Sequence, residues 1–148
     1  SGTAAGVSTR LMDMGIEPYM ITSCLTGVMA QRLLRQNCPK CATKYKPPEP
    51  LLKQYGLTAR SGKFRRGTGC SSCHGIGYQG RRAVGEFLPL TDEVAEAILN
   101  RRRTADVHEI AVRNKMTTLT QDALEVVIAG ETTLEEVQRV LPVEKRPD

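Results

Sequence analysis

Residues 38–41 read CPKC and residues 70–73 read CSSC, and these two stretches decide the fold of the 148-residue chain. A C-x-x-C turn places two sulfur atoms on one side of a tight loop. Two such turns that face each other surround a point with four thiolates, which is the ligand set of a tetrahedral structural zinc site. We therefore predict one zinc site, formed by Cys38, Cys41, Cys70 and Cys73.

The surroundings of the two pairs fit zinc better than other uses of cysteine. The 28 residues between the pairs exceed the usual zinc-ribbon spacing of about 15–20, which predicts a small insert between the knuckles. Pro39 stiffens the first turn, and Gly69 and Gly75 flank the second, where backbone must approach sulfur closely. The alternatives are two disulfides or redox-active pairs. No signal peptide or membrane-spanning run in the sequence supports an oxidising compartment, and two matched pairs exceed what a redox motif needs.

Composition and charge limit the fold and the partners. The chain has four Tyr, two Phe and no Trp, which predicts helices packed through aliphatic side chains. Residues 37–83 carry ten Lys and Arg against the single acid Glu49, a formal charge of +9, whereas the rest of the chain carries −4. We expect this basic segment to lie on loops and to serve either as a docking face or as a solvated surface.

Two helices are predicted before the first knuckle. The first runs from Ala4 to Met14 and ends at Gly15. The second opens at Glu17-Pro18 and continues to Arg35, with an apolar face that includes Cys24. Cys24 is therefore predicted to be a buried small hydrophobic residue, without the neighbouring base that a nucleophile needs.

Residues 49–90 are predicted to mix short elements. A short helix is expected over Glu49–Tyr55, closed by Gly56, and residues 60–69 are expected to form a loop or an irregular hairpin arm. Residues 83–88 read as a strand in which Val84 and Phe87 are the larger apolar side chains.

The last third of the chain reads as four short capped helices. Thr91 and Thr104 are predicted to cap the first two helices. The other two each begin with a capping box, Thr118 with Gln121 and Thr132 with Glu135, and their apolar faces predict a compact bundle. Residues beyond Val143 are expected to fray.

Five segments, in this order, resemble the secretion ATPase superfamily. They are residues 4–18 (AAGVSTRLMDMGIEP), 28–35 (VMAQRLLR), 80–88 (GRRAVGEFL), 116–124 (MTTLTQDAL) and 129–137 (AGETTLEEV). The ATPases of type II secretion match best, and type IV pilus assembly ATPases come next. The chain departs from the family pattern at Gly85, where an aromatic residue is usual, and at Lys115, where the family has glycine.

The resemblance implies an α+β, mostly α, fold. Residues 1–36 would be the C-terminal helices of a RecA-like core, residues 37–83 a tetracysteine zinc-binding subdomain with a small hairpin, and residues 84–143 a C-terminal helical subdomain. Residues 144–148 would be a frayed tail. Residues 28–35 would form the helix that leads into the tetracysteine motif.

The resemblance also implies a function in a larger motor. The family's motors are hexameric, act at the cytoplasmic side of the inner membrane and contact a membrane platform protein, with anionic lipid head groups as a further surface. This chain carries no G-x-x-x-x-G-K-[ST] motif, so we assign it no catalytic and no nucleotide-binding residue. ATP and Mg²⁺ would bind only in the full-length parent, and the fragment alone is predicted to be inactive.

Two functions from other classes compete with this interpretation. Zinc knuckles within a segment of charge +9 are typical of a nucleic-acid-binding module. The few aromatic residues, however, are not arranged as a platform on which bases could stack. We therefore expect no nucleic-acid partner. Residues 70–77 also mimic the C-x-x-C-x-G-x-G repeat of Hsp40 co-chaperones, but the first knuckle lacks the glycines.

Three further side chains are candidates for function. His74 adjoins Cys73 and could compete as a metal ligand, but four cysteines already close the site. His108 is predicted to lie on the surface of a capped helix. Arg32 could contact a nucleotide or a neighbouring subunit of the hexamer, or could lie at a solvated or ion-paired helix end.

Overall fold

The computed structural model describes residues 3–143, and within that range the chain is a mixed helix-and-strand protein. The helices are α1 Gly6–Asp13, α2 Pro18–Cys24, α3 Glu49–Gln54, α4 Asp92–Leu99, α5 Thr104–Arg113, α6 Leu119–Ile128 and α7 Leu134–Val140. The strands are β1 Gly27–Asn37, β2 Ala42–Lys44, β3 Arg65–Gly67 and β4 Tyr78–Pro89. None of the helices within residues 3–143 is long and apolar enough to cross a membrane. The predicted frayed tail, residues 144–148, lies outside the described residues.

The chain divides into two compact units. The first comprises the chain up to Gln31 together with Gly85–Leu119, and the second comprises Arg32–Val84 together with the chain from Thr120 onward. Strand β1 pairs with β4, and each of these two strands contributes residues to both units.

The first unit has an aliphatic core built on α1, α2, α4, α5 and the end of β4. Its buried residues include Ile21, Leu88, Val94, Ile98 and Val107. As the scarcity of aromatic residues predicts, small and branched aliphatic side chains form this core and pack the helices against one another. Helix α4 begins as predicted, because the hydroxyl of Thr91 accepts a hydrogen bond from the Val94 amide.

Glu86 ties three segments of the first unit together. Its side chain is buried, and its two carboxylate oxygens accept hydrogen bonds from the backbone amides of Ala4 at 3.0 Å and Leu119 at 2.9 Å. Both amides lie at the start of a helix: Ala4 just precedes α1, and Leu119 is the first residue of α6. The buried carboxylate therefore satisfies donors that would otherwise cost free energy.

The second unit has its own apolar core. Leu34, Leu52, Val127, Leu134 and Val137 are almost completely buried. Helix α3 begins at Glu49, and Gly56 follows it with a φ of +68°, as predicted. Strands β2 and β3 pair antiparallel, with Ala42 opposite Gly67 and Lys44 opposite Arg65, so the predicted irregular arm over residues 60–69 does contain a short hairpin strand.

A buried carboxylate pairs with two partly exposed guanidinium groups in the second unit. The carboxylate of Glu136 is inaccessible to solvent and accepts hydrogen bonds from the backbone amide and the guanidinium of Arg35, and from the guanidinium of Arg139. The guanidinium carbon of Arg35 also lies 4.2 Å from the centre of the Tyr78 ring. Arg35 is thus held by a carboxylate and an aromatic face at the same time.

The predicted long helix over residues 17–35 is wrong. Helix α2 ends at Cys24, and residues 27–37 form strand β1, so residues 28–35 are not the helix expected before the first knuckle. Along β1 the inward side chains Val28 and Ala30 pack against the first unit's core, whereas Met29 and Leu33 are exposed. Because apolar residues occupy both faces of β1, its sequence fits the helical period as well as the strand period. Hydrogen bonding to β4 selects the strand.

Four local predictions are also corrected. Cys24 lies at the last residue of α2 and is exposed rather than buried. The residue that caps α5 is Arg103, without a side-chain hydrogen bond, and Thr104 is already helical. Helix α7 is capped by Thr133, not Thr132, because the Thr132 hydroxyl donates to the carbonyl of Arg35. His108 is half-buried instead of lying on the surface.

Helix α5 ends in a strained residue that offers a stability test. The amides of Lys115 and Met116 donate to the carbonyls of Val112 and Ala111, the pattern of a Schellman motif, and Lys115 has a φ of +71°. Glycine adopts that conformation without the Cβ penalty. We expect Lys115→Gly to raise the free energy of unfolding by about 0.5–1 kcal/mol, measured by urea denaturation.

Two control variants separate backbone strain from loss of the lysine charge. Lys115→Ala should not gain stability, since it keeps the Cβ. Gly15→Ala should lose stability, because Gly15 occupies the same motif after α1 at a φ of +93° and no atom lies within 4 Å of a Cβ built there. A Lys115→Gly protein no more stable than Lys115→Ala would contradict the explanation by strain.

Candidate metal centre

The four cysteines of the two knuckles converge in the second unit. Cys38 directly follows β1, Cys41 directly precedes β2, and Cys70 and Cys73 lie in the loop between β3 and β4. The pairing of Ala42 with Gly67 brings the two knuckles face to face. All four sulfur atoms lie within 4.8 Å of one another.

The sulfur positions fit a tetrahedral metal ion. Three sulfur–sulfur distances are 3.8 Å for Cys38 to Cys70, 3.8 Å for Cys41 to Cys73 and 3.7 Å for Cys70 to Cys73. A tetrahedron with metal–sulfur bonds of about 2.3 Å has edges of about 3.8 Å. The four cysteines could therefore hold one ion without rearrangement of the chain.

Backbone amides point at two of the sulfur atoms. The amide of Gly69 donates to the sulfur of Cys41 at 3.3 Å, and the amides of Cys70 and Gly77 donate to the sulfur of Cys73 at 3.2 and 3.3 Å. Such donors stabilise thiolate over thiol. Gly69 has a φ of +100°, and a Cβ there would lie 2.8 Å from the carbonyl oxygen of Gly75. The predicted role of glycine in this turn is thus confirmed at Gly69.

A second close approach of glycines locks the knuckles together. A Cβ on Gly67 would lie 2.0 Å from the carbonyl oxygen of Gly77, and one on Gly77 would lie 2.5 Å from the carbonyl oxygen of Gly67. The Cys38 amide donates to the carbonyl of Gly77 at 2.9 Å. No side chain fits between these backbones, so the glycines set the distance between the two cysteine pairs.

The thiols influence one another's protonation. Burial acts to raise the pKa of Cys73, but the amides of Cys70 and Gly77 and the neighbouring thiols outweigh it and hold the pKa at about 6. Burial and the adjoining thiols raise the pKa of Cys41 to about 11, against the opposing effect of the Gly69 amide. Four sulfur atoms this close cannot all ionise without a cation. A divalent ion would remove that conflict, which is the electrostatic reason the cluster suits a metal.

Polar side chains lie next to Cys38. Cys38 is fully buried, and its thiol donates to the side-chain oxygen of Gln79 at 3.7 Å, which also accepts from the hydroxyl of Ser72 at 3.5 Å. Gln79 lines a cavity of about 360 Å³ together with Gln36 and Asn37. Sequence reasoning missed Gln79, because no pattern marks a residue six positions after a ligand as its neighbour.

Asn37 anchors the first knuckle and was also missed. Its side-chain amide donates to the carbonyls of Arg65 and Gly130, and its backbone amide donates to the carbonyl of Glu131. These bonds fix the end of β1 against β3 and the chain after α6. The position of Cys38 is therefore set by residues far away in sequence, and the only local signal is a polar residue before a ligand.

The remaining candidates lie outside the metal centre. His74 is exposed and has a φ of +55°, and the cluster found within residues 3–143 consists of the four cysteines without it. His108 and Cys24 belong to the first unit. Arg32 lies on β1 and not at a helix end.

The basic side chains between the two knuckles are exposed to solvent. We call Arg60, Lys63, Arg65 and Arg66 the basic face, and all four are exposed. Arg65 donates to the carbonyl of Ala42 at 2.7 Å and lies opposite Lys44 in the strand pair. Two like charges directly opposite on a short strand pair repel each other.

Comparison with known proteins gives consistent matches. A family model described as "Type II/IV secretion system protein" matches residues 1–139. Over most of its length the chain is 41% identical to the type IV pilus assembly ATPase PilB of Thermus thermophilus, 39% to the type II secretion system protein E of Dickeya dadantii and 38% to the type II secretion system ATPase E of Vibrio cholerae.

The matches cover the chain more completely than they cover the relatives. They include 90% of this chain for the Thermus protein and 95% for the other two. The chain spans only 15% of the length of the Thermus relative and 28% of the length of the Dickeya and Vibrio relatives.

Proposed function

Because the chain belongs to the type II/IV secretion system protein family, we propose that it is the C-terminal zinc-binding and helical part of a secretion ATPase. The parent protein would be a cytoplasmic hexamer, peripheral to the inner membrane, that powers pseudopilus assembly and export by type II secretion. The relatives named as type II secretion proteins support this assignment, and they match 95% of the chain.

The observation that carries the proposal is the four-sulfur cluster. Cys38, Cys41, Cys70 and Cys73 would hold one zinc ion, which supplies a cross-link between two chain segments and no redox chemistry. We assign the zinc a structural role, because four cysteines leave no open coordination position for a substrate.

The segments of the chain would take different positions in the motor. Residues 1–36 would complete a RecA-like core, residues 37–83 would form the zinc subdomain and residues 84–143 the helical subdomain. ATP and Mg²⁺ would bind in parts of the parent that this chain does not contain, since the sequence lacks a phosphate-binding loop. The fragment by itself would hydrolyse no ATP.

A type IV pilus assembly ATPase is the second candidate. The Thermus relative that carries this name has an identity of 41%, above the values of the two type II relatives described. Both candidates would assemble a filament from the cytoplasmic side, so the role of this segment would be the same in each. Loss of secretion or loss of pili in a strain that lacks the parent gene would tell them apart.

We further propose that the basic face docks on the motor's membrane partner. That partner would be the cytoplasmic domain of the platform protein, with anionic lipid head groups beside it. Exposed guanidinium and ammonium groups attract an acidic surface over about 8 Å at physiological salt. No nucleic acid is expected to bind specifically.

The docking proposal predicts a defect from charge reversal in the full motor. Changing Arg60, Lys63, Arg65 and Arg66 to Glu should reduce platform binding and platform-stimulated ATP hydrolysis at least tenfold at low salt. Basal ATP hydrolysis and zinc content should stay unchanged. The matched control reverses four exposed basic residues of the first unit, Arg101, Arg102, Arg103 and Lys115. Equal platform binding by both quadruple variants would contradict the docking role, and tight DNA binding by the wild type would favour a nucleic-acid function.

A further inference from the structure

The cavity of about 360 Å³ at the end of β1 is lined by residues of the second unit alone. The polar side chains in its walls are those of Gln36, Asn37, Arg65, Gln79 and Glu131. Its volume falls at the small end of the range of roughly 300–1,000 Å³ that is typical of ligand sites. A cavity of this size suits one side chain together with its adjoining peptide group.

Asn37 offers this cavity a hydrogen-bond acceptor that the described residues leave unused. The residue is 8% exposed, and its Nδ2 donates to the carbonyls of Arg65 and Gly130, each at 3.0 Å. Because both hydrogens of the NH₂ group are used, the carboxamide cannot turn, and Oδ1 is fixed as an acceptor. Within residues 3–143 this oxygen has no hydrogen-bond partner. Buried polar atoms normally have one, which favours a ligand that carries an N–H group.

Arg65 supplies a cation to the same cavity. Its Nη2 donates to the carbonyl of Ala42 at 2.7 Å, and its aliphatic stem lies against Gly130, where a Cβ would be 2.9 Å from the Cδ of Arg65. The side chain is thus held at two points. No carboxylate within residues 3–143 pairs with it, so its other N–H groups can donate to an anion.

The charge around the cavity also favours an anionic ligand. Residues 37–83 carry a formal charge of +9. Glu131 lines the cavity, but its carboxylate is paired with the guanidinium of Arg82, which reduces its repulsion of an anion. The carboxamides of Gln36 and Gln79 can donate hydrogen bonds to a carboxylate or a carbonyl oxygen.

We propose that this cavity binds an acidic residue of a protein partner. The peptide N–H of that residue donates to Oδ1 of Asn37, and its side-chain carboxylate accepts from the guanidinium of Arg65. A peptide is favoured over a lipid head group or a free anion because Asn37 requires a donor beside the anion. The inference deepens the proposed docking role of the basic face, to which Arg65 belongs, and rests on that role for the identity of the partner.

The first experiment varies the ligand, because replacing Asn37 would also remove the two bonds that anchor the first knuckle. The probe is the tripeptide glycyl-aspartyl-glycine with an acetyl and an amide end, titrated into the full chain and followed by NMR. It should shift the side-chain NH₂ resonances of Asn37. The ester analogue, in which oxygen replaces the aspartyl N–H, and the analogue with asparagine in place of aspartate should each bind about tenfold more weakly.

The second experiment varies the protein at constant charge. Arg65→Gln should weaken binding of the tripeptide about tenfold, because it removes the group that meets the carboxylate. The matched control is Arg66→Gln. Arg66 is the next residue of β3, lies with its guanidinium 5.3 Å from the centre of the Tyr45 ring and does not line the cavity. It removes the same charge and should leave the affinity within about twofold of the wild type.

Three results would overturn the cavity as a peptide site. They are no binding of the tripeptide by the wild type, equal binding of the ester analogue, and equal weakening by Arg65→Gln and Arg66→Gln, which would indicate attraction by charge alone. The docking role is tested apart from this. Tripeptide binding as expected, together with normal platform binding by the quadruple charge-reversal motor, would overturn the docking role and leave the cavity.

Discussion

Replacing Cys70 with Ser is expected to abolish stable zinc binding and to unfold the knuckles. Structural zinc sites contribute about 10–16 kcal/mol of binding free energy, and that free energy is available to folding. Three thiolates and a hydroxyl hold zinc much less tightly than four thiolates. Three of the sulfur–sulfur distances already match a tetrahedral ion, so the loss of one ligand removes the cross-link between β2 and the loop before β4.

The unfolding should be local. Hydrogen exchange should accelerate by at least 100-fold at the amides of Cys38, Ala42, Gly75 and Gly77, all of which bond within or between the knuckles. Val127 should remain protected, because it belongs to the aliphatic core of the second unit. Residues 37–83 contain the buried side chains of Leu51, Leu52, Tyr55 and Phe64, so the expected unfolding is confined to the knuckles.

Cys24 provides the matched control for this prediction. It is exposed, lies in the first unit and is not one of the four cysteines of the cluster. Cys24→Ser should keep one zinc per chain and wild-type exchange rates. Unchanged exchange at Gly75 and Gly77 in Cys70→Ser would contradict a structural role for the metal.

Replacing Glu136 with Ala is expected to lower the free energy of unfolding by about 1.5–3 kcal/mol, the usual net contribution of hydrogen bonds to a charged group. The carboxylate is fully buried and accepts from the Arg35 amide at 2.7 Å, the Arg35 guanidinium at 3.0 Å and the Arg139 guanidinium at 2.7 Å. Its removal leaves a buried backbone donor unpaired and separates β1 from α7. Glu131→Ala is the control, because the ion pair of Glu131 with Arg82 is largely exposed and should contribute less than about 1 kcal/mol.

The same carboxylate should make stability depend on pH. Burial acts to raise the pKa of Glu136, but the Arg139 and Arg35 guanidinium groups and the Arg35 amide outweigh it and hold the pKa at about 2. Since the pKa in the folded state lies below the ordinary value of 4.5, the stabilisation is complete above pH 4.5 and is lost as the pH falls through 2. In Glu136→Gln, urea denaturation between pH 5 and about 2.5 should show a smaller loss of stability than in the wild type. Parallel pH profiles would show that Glu136 is not the group responsible.

Local signals in the sequence predicted the parts of the fold that depend on neighbouring residues. The two C-x-x-C pairs, the Thr91 cap and the glycine after α3 each involve residues within a few positions, and the structure has all three. The convergence of the four sulfur atoms is also predictable, because two C-x-x-C pairs are the typical ligand set of one tetrahedral zinc site.

The features that local sequence signals do not predict depend on contacts between residues far apart in the chain. The helical prediction for residues 28–35 fails because the apolar residues of β1 satisfy both the helical and the strand period, and the partner strand β4 lies about 50 residues further along the chain. The cap of α7 moves from Thr132 to Thr133 because Thr132 bonds to Arg35, 97 positions away. The spacing of Glu136 and Arg139 predicts an i,i+3 ion pair on one helix. No local pattern predicts that Glu136 also binds Arg35.

Metal analysis of the purified chain tests the central claim most directly. Expressed without chelators and separated from free ions, the wild type should contain one zinc per chain, Cys24→Ser should contain the same amount, and Cys70→Ser should contain almost none. Less than about half a zinc per wild-type chain, or equal zinc in Cys70→Ser and the wild type, would contradict a zinc site formed by Cys38, Cys41, Cys70 and Cys73.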